Sequence, residues 1–121
     1  MGSEAKHATK NRYRDVLPYD TKRVTLRESS NAFHSDYINA SFITDTHPRT
    51  PAYIATQGPL DNTVGDFWQM VWEQGIVVII NLTKLSDMGL PQCHRYWPTD
   101  GSHIYHTYEV GFSFQLQTGA L

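Results

Sequence analysis

Apolar residues recur at Val64, Phe67, Trp68, Val71 and Trp72, the i, i+3, i+4, i+7, i+8 spacing of one helix face. Thr63 stands where an N-cap belongs, with Asp66 three residues on as a weaker form of the capping box. Gly75 is placed to end the helix, so the pattern predicts about 12 helical residues. On such a face Phe67, Trp68 and Trp72 read as core packing in preference to a binding box. Ile76-Val77-Val78-Ile79-Ile80 is apolar at every position and predicts a central strand buried on both faces. Helix, tight glycine and buried strand together are an α/β signal. From Ile104 to Gln117 the period becomes two. Ile104, His106, Tyr108, Val110, Phe112, Phe114 and Leu116 share one face, which predicts a long antiparallel strand bent or turned near Gly111.

Upstream, Arg23 to Leu26, Tyr37 to Ile43 and Ala52 to Gln57 read as strands, the last two around the turn-rich segment Thr44 to Pro51. Residues 27–36 read as polar linker, residues 1–10 as a loose polar lead, and Asn11 to Asp20, halted by Pro18, as an exposed loop.

A chain of 121 residues suits one domain or a piece of a larger one and can bury a real core. A net charge of −2 gives no basic field for nucleic acid or anionic lipid. One cysteine makes no internal disulfide, which fits a reducing compartment. The polar start has no apolar signal-peptide core, Lys6 breaks the myristoylation pattern, and the run Ile76 to Ile80 is too short to span a bilayer. Without a secretory signal, the triplets Asn39-Ala40-Ser41 and Asn81-Leu82-Thr83 read as chance glycosylation matches.

Cys93 is the one candidate thiol nucleophile. Thiolate chemistry on a phosphoryl group needs a lowered pKa and a Cys-x5-Arg loop of backbone amides closed by an arginine. Thr99 stands where that arginine belongs, and Pro98 has no amide to give, so Cys93 reads as a buried structural cysteine. His103 and His106, three apart on a strand, face opposite ways and do not chelate; no metal or cofactor is expected. There is no glycine-rich phosphate loop and no Gly-x-Ser-x-Gly elbow. The loop around Tyr13 is different. Tyr13, Arg14 and Asp15 lie outside any regular element. They read either as a solvated turn or as a ligand contact, with the ring stacking on a flat group, Arg14 pairing acidic groups and Asp15 accepting a peptide amide.

Six segments carry a resemblance when taken in order: Lys10-Asn11-Arg12-Tyr13, Leu17-Pro18-Tyr19-Asp20, Asp36 to Ser41, Tyr53 to Leu60, Asp66 to Glu73 and Tyr96-Trp97-Pro98. Together they strongly resemble the cysteine-dependent protein tyrosine phosphatase domain, over about residues 9–110. A finer resemblance rests on His47-Pro48-Arg49-Thr50-Pro51-Ala52-Tyr53 and on Gly101-Ser102 with Tyr105-His106 and Tyr108-Glu109-Val110. These segments look like the receptor-type phosphatase-like N subfamily, the group of the islet-cell autoantigen and phogrin.

The resemblance implies the N-terminal part of an α/β phosphatase fold, with a twisted mixed sheet and a flanking helix. It divides the chain into a polar lead 1–9, a partial phosphatase domain 10–110 and a divergent tail 111–121. It implies that Tyr13 flanks a phosphotyrosine ring, Asp15 holds substrate backbone and Arg14 meets acidic side chains. Asn39, Gln57 and Trp68 match framework positions. Asp87 stands near a glutamate that braces the catalytic arginine, and Gln92 stands where active members carry lysine. Cys93 matches the structural cysteine of the Cys-x-x-Tyr-Trp-Pro motif. The general-acid loop and the His-Cys signature loop do not occur in these residues, so the chain is expected to be inactive as a splice form, gene-model artefact or truncation.

Two functional expectations follow from the resemblance. One is a fragment of a phosphotyrosine phosphatase whose full-length relatives work through a cysteinyl phosphate without metal. The other is an inactive pseudophosphatase or binding module at the cytoplasmic side of secretory vesicles. Expected partners are a phosphotyrosine peptide or protein and, through an unfinished sheet, other copies of the chain. Nucleic acid is not expected, nor membrane contact by this segment itself.

Overall fold

A computed structural model describes residues 1–31, 33–44 and 52–111. The chain divides into two compact units, residues 1–57 and 58–121.

The first unit is built on a three-stranded antiparallel sheet in the order β1 (Arg23–Thr25), β2 (Tyr37–Ile43), β3 (Tyr53–Thr56). All three strands fall where the sequence predicts them. The register runs from Ala40 opposite Thr56 to Ile43 opposite Tyr53 on one side of β2. On the other side, Arg23 faces Ser41 and Thr25 faces Tyr37, with an irregularity between them. Tyr37 to Ala40 are all buried, together with Val24 and Leu26. Arg23 locks the start of this sheet with a two-pronged pair to Asp36, Nη2 to Oδ2 at 3.0 Å and Nη1 to Oδ1 at 3.3 Å.

The polar lead is more ordered than its composition predicts. Ala5–Lys10 forms a 3-10 helix against β2. His7 stacks on Tyr37 with ring centroids 4.2 Å apart, and the Lys10 ammonium lies 4.8 Å from the Phe33 ring centroid. No apolar stripe announces this packing, because it uses the flat face of an imidazole and the stem of a lysine.

In the second unit, α1 spans Val64–Glu73. Gly75 ends it as expected. At a φ of 63° it donates to Trp72 O at 3.3 Å, while Ile76 N donates to Val71 O at 3.0 Å, the Schellman pairing. The N-terminus departs from expectation. Thr63 occupies the cap position but makes no side-chain cap bond. Its hydroxyl turns back on Leu60, accepting from Leu60 N at 2.8 Å. With φ −116° and ψ 2°, Thr63 lacks the extended backbone that aims a cap oxygen at the helix amides.

The buried face of α1 is Val64, Asp66, Phe67, Gln69 and Met70. Trp68 lies half-buried at its edge. Trp72, predicted to be core, is 76% exposed, because the aromatic packing of the helix is made one turn earlier, at Phe67 and Trp68.

Two hairpins complete the unit. The first, β4 (Ser86–Asp87) with β5 (Leu90–Pro91), turns through Met88 and Gly89 at φ 52° and 80°. The second, β6 (Ser102–Tyr105) with β7 (Tyr108–Gly111), turns at His106-Thr107, where His106 has φ 60°. The single long strand predicted from Ile104 is therefore folded at residues 106–107 and not near Gly111, while residues 112–121 of that prediction lie outside the described residues. Ile76 to Ile80, predicted as a buried central strand, joins no ladder among the described residues, and Val77 is 94% exposed. Such a strand draws its burial from neighbours on both sides, and no described strand lies beside it. Every described ladder is antiparallel.

Candidate functional site: the clamped Tyr13 loop

Polar side chains rising from the sheet hold both ends of the loop that carries Tyr13, Arg14 and Asp15. At its entry, Gln57 accepts from Arg12 N through Oε1 at 2.9 Å and donates from Nε2 to Lys10 O at 2.8 Å. At its exit, Asn39 donates to Val16 O at 2.8 Å. The same Asn39 amide lies 3.2 Å from Asn11 Oδ1 and 3.2 Å from Gln57 Oε1, so the two ends share one network. Tyr37 donates its hydroxyl to Asn11 Oδ1 at 2.5 Å, and Asn11 in turn donates to Gly2 O at 2.9 Å. Burial pushes the Tyr37 phenol up from its ordinary value, which keeps it a donor.

This arrangement follows from the sequence of β2. Strand residues alternate faces, so Tyr37 and Asn39 project together toward the loop. Gln57 follows β3 directly and its backbone N donates to Asn39 O at 3.4 Å, which keeps the two amides adjacent. Asn39 is only 8% exposed, and a buried amide of this kind is tolerated because its NH2 group donates to Asn11, Val16 and Gln57.

Between these fixed ends the loop turns back through Val16 N to Tyr13 O at 3.3 Å. Tyr13 is 47% exposed, and Arg14 and Asp15 are exposed. The three candidate residues therefore stand together on one surface loop. Asn11 and Tyr37 complete the clamp, and their roles are not visible in sequence periodicity. The available signal was a polar Asn39 inside a strand otherwise apolar on that stretch.

Cys93 lies elsewhere, buried in the second unit, with its thiol donating to His94 O at 3.3 Å. A Cβ added at Gly58 would sit 3.0 Å from Cys93 Cβ and 2.5 Å from Gln92 O, so the thiol is packed into a tight crossing of two segments. His94 and Arg95 are exposed, and Arg95 instead stacks on Trp97 at 4.9 Å. This is the environment of a structural cysteine. Trp68 donates its indole N–H to Tyr96 O at 2.8 Å, tying α1 to the same motif. Asp87 lies exposed on β4, and Gln92 is half-buried with its backbone N donating to Leu85 O at 3.0 Å.

The family model described as protein-tyrosine phosphatase matches residues 7–119. The chain belongs to the protein-tyrosine phosphatase family. It is 59% identical over 110 residues to the receptor-type tyrosine-protein phosphatase N2 of Rattus norvegicus, covering 91% of this chain and 11% of that protein. It is 58% identical over 101 residues to the human receptor-type tyrosine-protein phosphatase-like N, covering 84% of this chain and 10% of that protein. The chain thus spans about a tenth of the length of these curated relatives. Among solved structures, PTPN18 in complex with HER2-pY1196 phosphopeptides superposes with a TM-score of 0.74 at 47% identity, covering 82% of this chain and 34% of that one. The fold is therefore a part of the family's α/β domain. No helix among the described residues is long and apolar enough to cross a membrane.

Proposed function

We propose that this chain carries the phosphotyrosine-recognition loop of a tyrosine phosphatase domain and binds phosphotyrosyl peptides without turning them over. In this reading the Tyr13 ring flanks the phosphotyrosine ring, Asp15 accepts amides of the peptide backbone and Arg14 meets acidic side chains beside it. The observation that carries the reading is the clamp. Asn39 and Gln57 fix both ends of the loop, so Tyr13 is presented on a prepared surface and loses little freedom on binding. The solved relative in complex with phosphopeptides supports the ligand class. Turnover is not expected from these residues, because the single cysteine has no Cys-x5-Arg loop around it. The test is fluorescence polarisation with a phosphotyrosyl peptide and its unphosphorylated twin. Preference for the phosphorylated peptide that is lost in Tyr13→Ala supports the reading; equal binding of both peptides overturns it.

A second reading, a pseudophosphatase module of the phosphatase-like N group on the cytoplasmic face of secretory vesicles, is favoured by the identity to that group. Co-fractionation of the full-length parent with dense-core vesicles checks it. The chain also self-associates, in this proposal, through the unfinished sheet of its second unit, as the exposure of Val77 to Ile80 supports.

A further inference from the structure

We propose that His7 is a positioning residue for the Tyr13 loop, docked as a neutral imidazole, and that a proton taken up on His7 releases the loop and weakens phosphopeptide binding. The inference rests on the reading that this loop binds phosphotyrosyl peptides, and it names what sets the loop's grip.

Two routes join His7 to the loop, both inside the first unit. One runs through space. The His7 ring stacks on Tyr37 at 4.2 Å and 21°, with His7 4% exposed and Tyr37 fully buried. The hydroxyl of the same Tyr37 donates to Asn11 Oδ1, which also receives the Asn39 amide that holds Val16 O. The other route runs along the chain. His7 lies in the 3-10 helix Ala5–Lys10, which ends at Asn11, whose backbone N donates to Ala8 O at 3.4 Å. Gln57 holds the last helical residue at Lys10 O and the loop at Arg12 N with one amide. A helix that lifts from β2 therefore carries Lys10 O and Asn11 with it and loosens the entry of the loop just before Tyr13.

The surroundings of the ring suit only its neutral form. Nε2 lies 3.3 Å from Met1 Sδ, a weak acceptor, and Nδ1 is buried with no hydrogen-bond partner among the described residues. A neutral imidazole can leave one nitrogen as a bare acceptor, whereas the imidazolium carries an N–H on each. Protonation in place buries a charge and an unsatisfied donor together. The charges around the ring do not offset this. Lys6 and Lys10, on its own helix, repel an imidazolium, while Glu4 before the helix and Asp36 at the entry to β2 attract it. Glu4 is already paired with Lys6 at 3.2 Å and Asp36 with Arg23 at 3.0 Å, and the Met1 ammonium is paired with Asp20 at 3.1 Å. Burial first, and Lys6 next, hold the His7 pKa below its ordinary value. The proton thus goes to the form in which the helix has lifted and the ring is in water. As pH falls below about 6.5, that form gains on the docked one by up to about tenfold per pH unit, until the depressed docked value is passed.

The experiment is fluorescence polarisation with a phosphotyrosyl peptide on the 121-residue chain, from about pH 7.5 to about pH 5.0, for the parent and His7→Phe. Phenylalanine keeps a flat ring against Tyr37 and takes up no proton. Titration of the peptide phosphate and of the other histidines is common to both chains, so the ratio of the two affinities isolates His7. The two are expected to agree within about twofold at the upper pH, and the parent to be weaker by about threefold or more at the lower pH. His7→Gln, a second variant without a titrating ring, is expected to lack the extra loss as well. In NMR spectra of the free parent, the Arg12 and Val16 amide shifts should move with the midpoint of the His7 ring protons, and in His7→Phe they should stay still. A constant affinity ratio with unmoved amides overturns the positioning role while phosphopeptide binding stands. Amides that track His7 in a chain with no preference for the phosphorylated peptide overturn the binding reading while the coupling of His7 to the loop stands. Far-UV circular dichroism that is unchanged across the range supports local release, and its collapse in the parent alone overturns release in favour of unfolding.

Discussion

Asn39 does at residue scale what no single exposed side chain could: it joins the exit of the Tyr13 loop to Asn11 and Gln57 at once. Tyr13→Ala and Asn39→Ala should therefore separate binding from stability. Tyr13 is half exposed, so its removal should leave the melting curve within about 0.5 kcal/mol of the parent. Phosphopeptide affinity should nonetheless fall roughly tenfold, the equivalent of about 1.4 kcal/mol. Asn39→Ala strands buried partners on two segments and should cost about 2–3 kcal/mol in urea unfolding as well as binding. His7 makes a separate prediction. Its imidazole is buried against Tyr37, and burial, followed by the nearby Lys6, holds its pKa below the ordinary histidine value; Lys10 adds to this, while Glu4 and Asp36 oppose it. The unfolded chain then takes up a proton before the folded one does. The His7 contribution is complete above the ordinary value of about 6.5 and is lost as pH falls from there through the depressed folded value. Urea midpoints should decline across that window in the parent, and His7→Phe should flatten the decline.

At the scale of elements, α1 shows how an apolar period can be right about a helix and wrong about one of its residues. Trp68 packs against Phe67, Tyr96 and Tyr105 and donates to Tyr96 O, whereas Trp72 one turn later is exposed. Trp68→Ala should cost about 3 kcal/mol and Trp72→Ala less than about 0.5 kcal/mol in chemical unfolding. Acrylamide quenching of the tryptophan emission should weaken in Trp72→Phe, which removes the solvent-facing indole. The other end of α1 depends on backbone conformation. Gly75 holds φ 63°, and Gly75→Ala forces a Cβ into that left-handed region at about 1–2 kcal/mol.

At the scale of the whole chain, the 121 residues hold one cysteine, buried, and no Cys-x5-Arg loop for phosphoryl transfer. Purified chain should release p-nitrophenol from p-nitrophenyl phosphate no faster than its Cys93→Ser variant. Activity that disappears with Cys93 would assign the buried thiol a chemistry its surroundings do not support. The two units also bury their residues differently. The first places Tyr37 to Ala40 wholly inside, while the second leaves its most apolar run in solvent. Hydrogen exchange should accordingly be slow in β2 and fast from Val77 to Leu82.

Sequence alone determined the strands Arg23–Thr25, Tyr37–Ile43 and Tyr53–Thr56, the helix with its Gly75 stop, and the place of Tyr13, Arg14 and Asp15 on a loop. These depend on short-range physics: alternation along a strand, period along a helix, and the backbone demands of glycine and proline. Ordered motifs further carried the family and the structural reading of Cys93. Tertiary structure decided the remainder, because burial belongs to a residue's neighbours and not to the residue. His7 and Lys10 are polar in sequence yet buried, since Tyr37 and Phe33 offer them flat apolar faces. Trp72 and Val77 to Ile80 are apolar yet exposed, since no described element lies over them. The Asn11–Tyr37–Asn39–Gln57 clamp draws on positions far apart in the chain, and only the pairing of β2 with β3 brings its amides within hydrogen-bond reach of the loop.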